Sequence, residues 1–236
     1  MTLFPETMES VLGTSIIGRA RDAGLVNIEC VNIRDFSKDK HRKTDDAPFG
    51  GGYGMIMTCQ PIYDCYKYLK EKMEKQSASG VHTVYMSPQG KTFDQNKAKE
   101  LSGVENLIIL CGHYEGVDER IIELIVDEEI SIGDFVLTGG EIPAMAVTDA
   151  VVRLLPGVLR AEECYTDESH QNGLLEYPQY TRPRCFEGLE VPEVLISGHA
   201  ANIEKWKQEQ AVKRTREKRP DLLDKKGKTD DDGDGN

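Results

Sequence analysis

The chain contains no run of about 18 apolar residues, so it offers no candidate for a membrane-spanning helix. Its first residues, Met1-Thr2-Leu3-Phe4-Pro5-Glu6, show neither a basic stretch nor the apolar stretch of a secretory signal, and a cytoplasmic protein with no membrane partner is expected. None of its six cysteines (Cys30, Cys59, Cys65, Cys111, Cys164 and Cys185) forms a C-x-x-C pair. That spacing suggests neither a disulfide scaffold nor a zinc site, and the thiols read as reduced core filler. Positive charge is in short supply, with 29 Lys and Arg against 41 Asp and Glu, for a formal net charge of −12. Taken as a sum, that argues against a nucleic-acid partner. The distribution matters more, because much of the acid sits in Asp127-Glu128-Glu129 and in the tail from Gly227 to Asn236.

What is present is ordinary globular material: 236 residues, 39% hydrophobic and 30% charged, enough for one large domain or one plus a smaller one. Residues 7–23 read as an amphipathic helix after a clipped first strand, and residues 25–33 alternate with the period of a strand. A charged segment, Arg34 to Asp46, leads into the glycine loop Pro48 to Met55. Helices are expected over 60–77, 94–101, 117–126 and 143–155, with strands at 81–86, 107–111 and 135–138 and a turn from Ser77 to Gly80. This alternation predicts a largely parallel α/β sheet. From Pro156 to 197 the chain is rich in Pro, Gly, Tyr and charge, as a linker or functional loop is. A helix returns over Ala200–Arg219 with Trp206 as its anchor, and a disordered acidic tail closes the chain.

Six segments are candidates for chemistry. Gly50-Gly51-Gly52-Tyr53-Gly54-Met55 permits close backbone approach, but no Gly-Lys-Ser/Thr follows to make it a phosphate loop. Ser87-Pro88-Gln89-Gly90 follows a strand, where open α/β sheets bind ligands, though an ordinary turn would look the same. Cys111 to Arg120 packs imidazole, phenol, carboxylates and guanidinium into one glycine-flanked turn, more polar groups than a connector needs. Ser131 to Glu141 combines apolar residues with Gly139-Gly140, which suits an adenosine-like ligand or simply a buried strand and turn. Arg153 and Thr166-Asp167-Glu168-Ser169-His170 are compatible with a general base or with a solvated loop. Tyr177 to Arg184 interleaves aromatics with Arg, and the helix after it carries Lys205, Lys207, Lys213, Arg214, Arg216, Lys218 and Arg219 against Glu204, Glu209 and Glu217, a local net of +4. Such a surface suits stacking on bases and contact with an RNA backbone, although a solvated helix face shares the pattern.

In this order the segments resemble the bacterial tRNA (guanine-N1)-methyltransferases, from residue 2 to about 223. The resemblance is carried by Leu3-Phe4-Pro5-Glu6, Arg34-Asp35-Phe36, Asp45-Asp46 through Met55, Ser87 to Gly90, Cys111 to Arg120, and Ser131-Ile132-Gly133-Asp134 to Pro143-Ala144-Met145. It continues in Pro156-Gly157-Val158, Gly173-Leu174-Leu175, Tyr180-Thr181-Arg182-Pro183 and Val191-Pro192. It implies an α/β fold of the SPOUT type, a parallel sheet with a C-terminal deep trefoil knot, plus a small mostly helical C-terminal domain, in a homodimer whose subunits share active sites. The implied division is a donor-binding domain at 1–160, an interdomain linker and active-site loop at 161–178, a helical tRNA-binding domain at 179–223 and a tail at 224–236. The short N-terminus, set against the resemblance, points to a late start codon or a trimmed first strand.

The implied reaction moves the methyl group of S-adenosylmethionine to N1 of the guanosine just 3′ of the anticodon in tRNA. The donor pocket maps to Tyr85, Met86, Ser87, Pro88, Gln89, Gly112, His113, Tyr114, Glu115, Ile132, Gly133, Asp134, Phe135, Val136, Leu137, Gly139 and Gly140. The guanine N1 proton must leave before the nitrogen can attack, which calls for a carboxylate base. The family's Asp aligns with Glu168; with Asp167 just before it, either residue is in place to serve. Charge developing on the exocyclic oxygen calls for a guanidinium or metal ion; the family's Arg aligns with Arg153, and Glu115 is the nearby carboxylate for the family's Mg2+. His170 stands where Phe is common, and Gly198-His199-Ala200-Ala201 lacks a polar residue often seen there. Two other readings share the fold: a non-catalytic tRNA-binding protein, which has no use for the donor motifs, and a ribose methyltransferase, which lacks the Gly50–Met55 loop.

Overall fold

The computed structural model describes residues 1–77, 79–159 and 168–223. The chain divides into two compact units, Met1–Arg160 and Ala161–Asn236. The first unit runs α1 (Pro5–Leu12), α2 (Ser15–Asp22), a 3-10 turn (Ile33–Phe36), β1 (Asp45–Asp46), β2 (Ile56–Met57), α3 (Cys59–Glu74), β3 (Val81–Thr92), α4 (Gln95–Ser102), β4 (Asn106–Cys111), α5 (Glu119–Ile125), β5 (Glu128–Ser131) and α6 (Glu141–Val152). Strand β3 is central, with β4 and β5 parallel on its two sides, as the α/β alternation predicts. Short β1 and β2 pair antiparallel.

Successive residues of the strands face opposite cores. Val84, Met86 and Ile130 pack with Met8, Leu12, Ala144 and Val147 on one face. Tyr85, Ile108 and Leu110 pack with Leu69, Ile121 and Ile125 on the other. Helices therefore cover the sheet on both sides, which is why its strands read as nearly continuous apolar runs. Among the described residues no helix is long and apolar enough to cross a membrane.

Several sequence-based expectations need correction. The helix expected over 7–23 is two helices: the Gly13 N–H closes α1 on the Glu9 carbonyl, and Ser15 turns the chain with φ +55°. The helices are clasped by Arg21 on Glu9 at 2.7 Å, and that guanidinium holds the Glu9 carboxyl below its ordinary range. Residues 25–33 are not a strand; only Asn32 forms a bridge, parallel to Thr2, before the 3-10 turn. The strand expected at 135–138 is also misplaced, because the acidic stretch itself forms β5. Its acids are matched there: Asp127 accepts from the Thr83 N–H at 2.7 Å, and Glu128 meets His82 at 2.8 Å and Lys97 at 3.0 Å. Finally, Ser87–Gly90 does not end β3. The strand register slips between Met86 and Lys91, after which Lys91 and Thr92 pair with β5 again. Helix α6 begins at Glu141 with Pro143 in its first turn, where a missing N–H costs nothing.

In the second unit, the hairpin β6 (Cys185–Phe186) and β7 (Leu189–Glu190) precedes α7 (Glu193–Ile196) and α8 (Ala200–Lys218). The 156–197 segment thus contains short regular elements that its composition concealed. A strap of residues 174–180 lies along α8. The Leu175 N–H donates to the Thr215 hydroxyl at 2.8 Å, Arg214 donates to the Glu176 carbonyl, Lys207 sits 4.9 Å from the Tyr177 ring centre, and Tyr180 meets Trp206. Cys164, Thr166, Asp167 and the tail after Leu223 lie outside the described residues.

Candidate active site

Three loops at the same end of the sheet enclose a cavity of about 270 Å³. They are Met86–Gln89 in the β3 register slip, Gly112–Val117 after β4, and Ile130–Gly140 after β5. Their mutual bonds are largely backbone. The Gly140 N–H donates to the Gly112 carbonyl at 2.8 Å, and His113 bridges Gly139 antiparallel. The Glu115 N–H reaches the Met55 carbonyl at 3.0 Å, and the Met57 N–H reaches Gly116 at 2.9 Å, so the end of the Gly50–Met55 loop is fastened to the cavity wall.

Close approach explains two of the glycines. A Cβ on Gly140 would stand 2.8 Å from the Cys111 Cα and 2.9 Å from the Gly112 nitrogen, both backbone atoms. One on Gly112 would stand 2.8 Å from the Tyr85 hydroxyl oxygen. Tyr85 is buried, and burial, with the charges of Glu129 and Glu119 adding to it, pushes its phenol up to about 12. It therefore remains a neutral hydroxyl at the cavity floor. Buried His113 Nδ1 has no hydrogen-bond partner among the described residues, which leaves a polar atom for a ligand to satisfy. Phe135, Val136 and Leu137 provide an apolar wall that stays substantially open to solvent. Backbone amides, one orphaned imidazole nitrogen and an aliphatic wall fit a nucleoside-bearing donor such as S-adenosylmethionine.

All the residues mapped to the donor pocket line this cavity except Asp134. Among the lining residues that the mapping missed are Gly116, Val117, Glu119, Ile122, Glu129 and Thr138. Glu119 stands within the polar turn Cys111–Arg120 and Glu129 among the acids flanking the 131–141 segment, and the fold turns both toward the cavity. Tyr114 is tied to the charged 34–46 segment by Arg34, whose guanidinium donates to the phenol oxygen at 3.1 Å. Arg153 caps α6, its N–H on the Asp149 carbonyl, and does not line the cavity. Glu168, in the second unit, lines a small cavity of about 140 Å³ with Glu176, Tyr177, Glu204 and Lys207. Glu115 packs its side chain over Gly54. Among the described residues no three or more His, Cys, Asp or Glu side chains gather to hold a metal ion, so the residues do not provide a built Mg2+ site.

Comparison with known proteins agrees with this geometry. The family model for tRNA (Guanine-1)-methyltransferase TrmD matches residues 1–225. A tRNA (guanine-N(1)-)-methyltransferase of Ruminiclostridium cellulolyticum is 63% identical over 225 residues, covering 95% of this chain and 95% of the relative. Proteins of the same name from Alkaliphilus metalliredigens (55% identical, 94% of this chain and 90% of the relative) and Clostridioides difficile (53%, 95% and 96%) are also similar. With the match spanning nearly its whole length, the chain belongs to the tRNA (guanine-1)-methyltransferase family.

Proposed function

We propose that this protein transfers the methyl group of S-adenosylmethionine to N1 of the guanosine just 3′ of the anticodon in tRNA. The observation that carries the reading is the cavity at the sheet's end, which collects the residues mapped to the donor pocket, apart from Asp134, from three separate stretches of chain. When bound, the donor supplies an electrophilic methyl on its sulfonium; the protein's work is to orient it and to deprotonate the acceptor. Backbone groups of Gly112, Gly139 and Gly140 hold the donor, Phe135 to Leu137 cover its base, and the neutral Tyr85 hydroxyl closes the floor. The Glu168 carboxylate accepts the N1 proton, and the Arg153 guanidinium opposes the charge that collects on the guanine oxygen. Asp167, the other carboxylate in position to be the base, lies outside the described residues.

The reading includes a homodimer and a SPOUT-type fold with a deep trefoil knot, in a cytoplasmic enzyme. Two features support the dimer: Arg153 stands off the cavity lining, and Val136 (81% exposed) and Ile142 (56%) leave apolar surface near the donor loops for a second copy to cover. The bonding of Gly139-Gly140 to Gly112 and His113, just beyond the end of β4, supports the knot. The second unit serves as the tRNA-binding part, with the 161–178 loop carrying the base and basic α8 following the phosphates. Methyl transfer from labelled donor to two tRNA transcripts tests the proposal, one with guanine and the other with adenine 3′ of the anticodon. Label on the first alone, released as 1-methylguanosine, is expected. Label on both or on neither, with donor still bound, overturns it.

A further inference from the structure

Behind the loops of the sheet-end cavity stands a buried acid that the methyl-transfer reading leaves without a task. Glu141 opens α6 and is 7% exposed, yet it does not line the cavity. The buried Thr2 hydroxyl donates to its Oε1 at 2.8 Å, and that hydroxyl oxygen accepts from the Phe4 N–H at 2.9 Å. One carboxylate oxygen is thereby fixed, and the acid's orientation with it.

The second oxygen stands beside His113, which does line the cavity. A Cβ on Gly139 would lie 2.5 Å from Glu141 Oε2 and 2.7 Å from His113 Nδ1, so the two atoms flank one point, and glycine at 139 keeps the space between them clear. The imidazole is gripped on its other sides. The Phe4 ring lies 5.0 Å from it, the Tyr114 ring meets it edge-on at 4.9 Å, and its backbone bridges Gly139. Residues Thr2 to Phe4 therefore hold both the carboxylate and the ring. Nδ1 is buried and makes no hydrogen bond among the described residues. A ligand in the cavity satisfies such a sealed atom at one remove, by seating the ring on an acceptor already in place.

We propose that Glu141 is a positioning residue for His113: when the donor fills the cavity, the ring closes on the carboxylate, Nδ1–H donates to Oε2, and Nε2 is left as an acceptor facing the donor. A neutral imidazole carries one proton on two nitrogens, so the bond made by one decides what the other presents. A carboxylate only accepts, which fixes the proton on Nδ1. Nε2 then takes an N–H or O–H of the ligand, and S-adenosylmethionine offers amino groups and ribose hydroxyls. The opposite tautomer would set N–H against N–H at an amino group.

The inference rests on the cavity being the donor site, and its test separates the two. Imidazole 15N spectra at about pH 8.5, above the ordinary titration of histidine, read the tautomer directly, with the His113 signals identified by their loss in His113→Asn. In the complex with S-adenosylhomocysteine, His113 should carry its proton on Nδ1. In Glu141→Gln the Thr2 hydroxyl keeps the amide oxygen, so the amide NH2 takes the place of Oε2 and donates to Nδ1. The proton should then move to Nε2, and S-adenosylhomocysteine affinity in calorimetry should fall about tenfold with Tm close to the parental value. A purely structural Glu141 would lower Tm and leave the tautomer alone. Nε2–H in the parent complex, or one tautomer shared by parent and variant, would overturn the inference and leave the donor reading standing. A parent chain that binds no S-adenosylhomocysteine would remove the donor reading, and this inference with it.

Discussion

The loops round the cavity at the sheet's end are fastened to one another by backbone, whereas the strap over α8 is fastened by side chains. In the first region Gly140 bonds Gly112, His113 bridges Gly139, and a methyl group on Gly140 would strike main chain. In the second, Thr215, Arg214, Lys207 and Trp206 reach out from one helix to hold residues 175–180. A backbone-built cavity has a fixed shape and tolerates little added volume, because main chain cannot rotate aside. A side-chain-built surface can lose one contact and keep the rest. On the proposed reading, donor geometry and substrate chemistry are therefore separable by mutation, the first failing with local structure and the second without it.

The sharpest test of that separation lies on the side-chain region. Glu168→Gln should lower single-turnover methyl transfer by about 10³-fold while donor affinity and Tm stay at parental values. Full activity would move the base to Asp167 or elsewhere. Arg153→Ala should slow the chemical step by about 10²-fold with tRNA affinity nearly unchanged, and an unaltered rate would remove Arg153 from the mechanism. Gly140→Val should do the opposite of both, costing about 3 kcal/mol in stability through its contact with the backbone of Cys111 and Gly112 and abolishing donor binding in calorimetry. Unchanged donor binding would mean that the crossing yields and the comparison fails.

Smaller effects sharpen the contrast. Thr215→Val leaves the Leu175 N–H without its acceptor and should cost about 1–2 kcal/mol in urea unfolding, with donor affinity intact. Asp64 anchors the charged 34–46 segment to α3. Hydrogen bonds from Lys38, Gln60 and Lys67 hold its carboxyl well below the ordinary range. Because the folded-state value is depressed, its stabilisation is full above the unfolded carboxyl's titration near pH ~4 and is lost as pH falls through the folded value. Lys38 and Lys67 are largely exposed, so Asp64→Asn should lower Tm by only about 1–2 °C at pH 7, and the difference should vanish in strong acid. A gap that persists there would show that the ion pairs are not its source.

Element type was legible wherever local pattern and tertiary setting agreed. The helices expected over 60–77 and 94–101 form as Cys59–Glu74 and Gln95–Ser102, and the strand expected at 107–111 forms as β4. The misses share a cause. Residues 25–33 do alternate as a strand, but a strand is defined by its neighbour, and among the described residues no strand pairs with residues 25–30. Asp127-Glu128-Glu129 reads as a solvated charge run until His82, Lys97 and the Thr83 N–H are brought beside it. Residues 135–138 read as a strand because a cavity wall needs the same apolar residues.

By itself the sequence determined the alternation of helices and parallel strands, the family, and most of the stretches that line the cavity at the sheet's end, because these rest on local periodicity and on motifs in order. Only the tertiary structure decided which glycines are forced by close backbone approach, that β3 continues past Ser87–Gly90, and that Glu119 and Glu129 join the cavity while Asp134 does not. Those are properties of contact between segments far apart in the chain, and no window of neighbouring residues contains them.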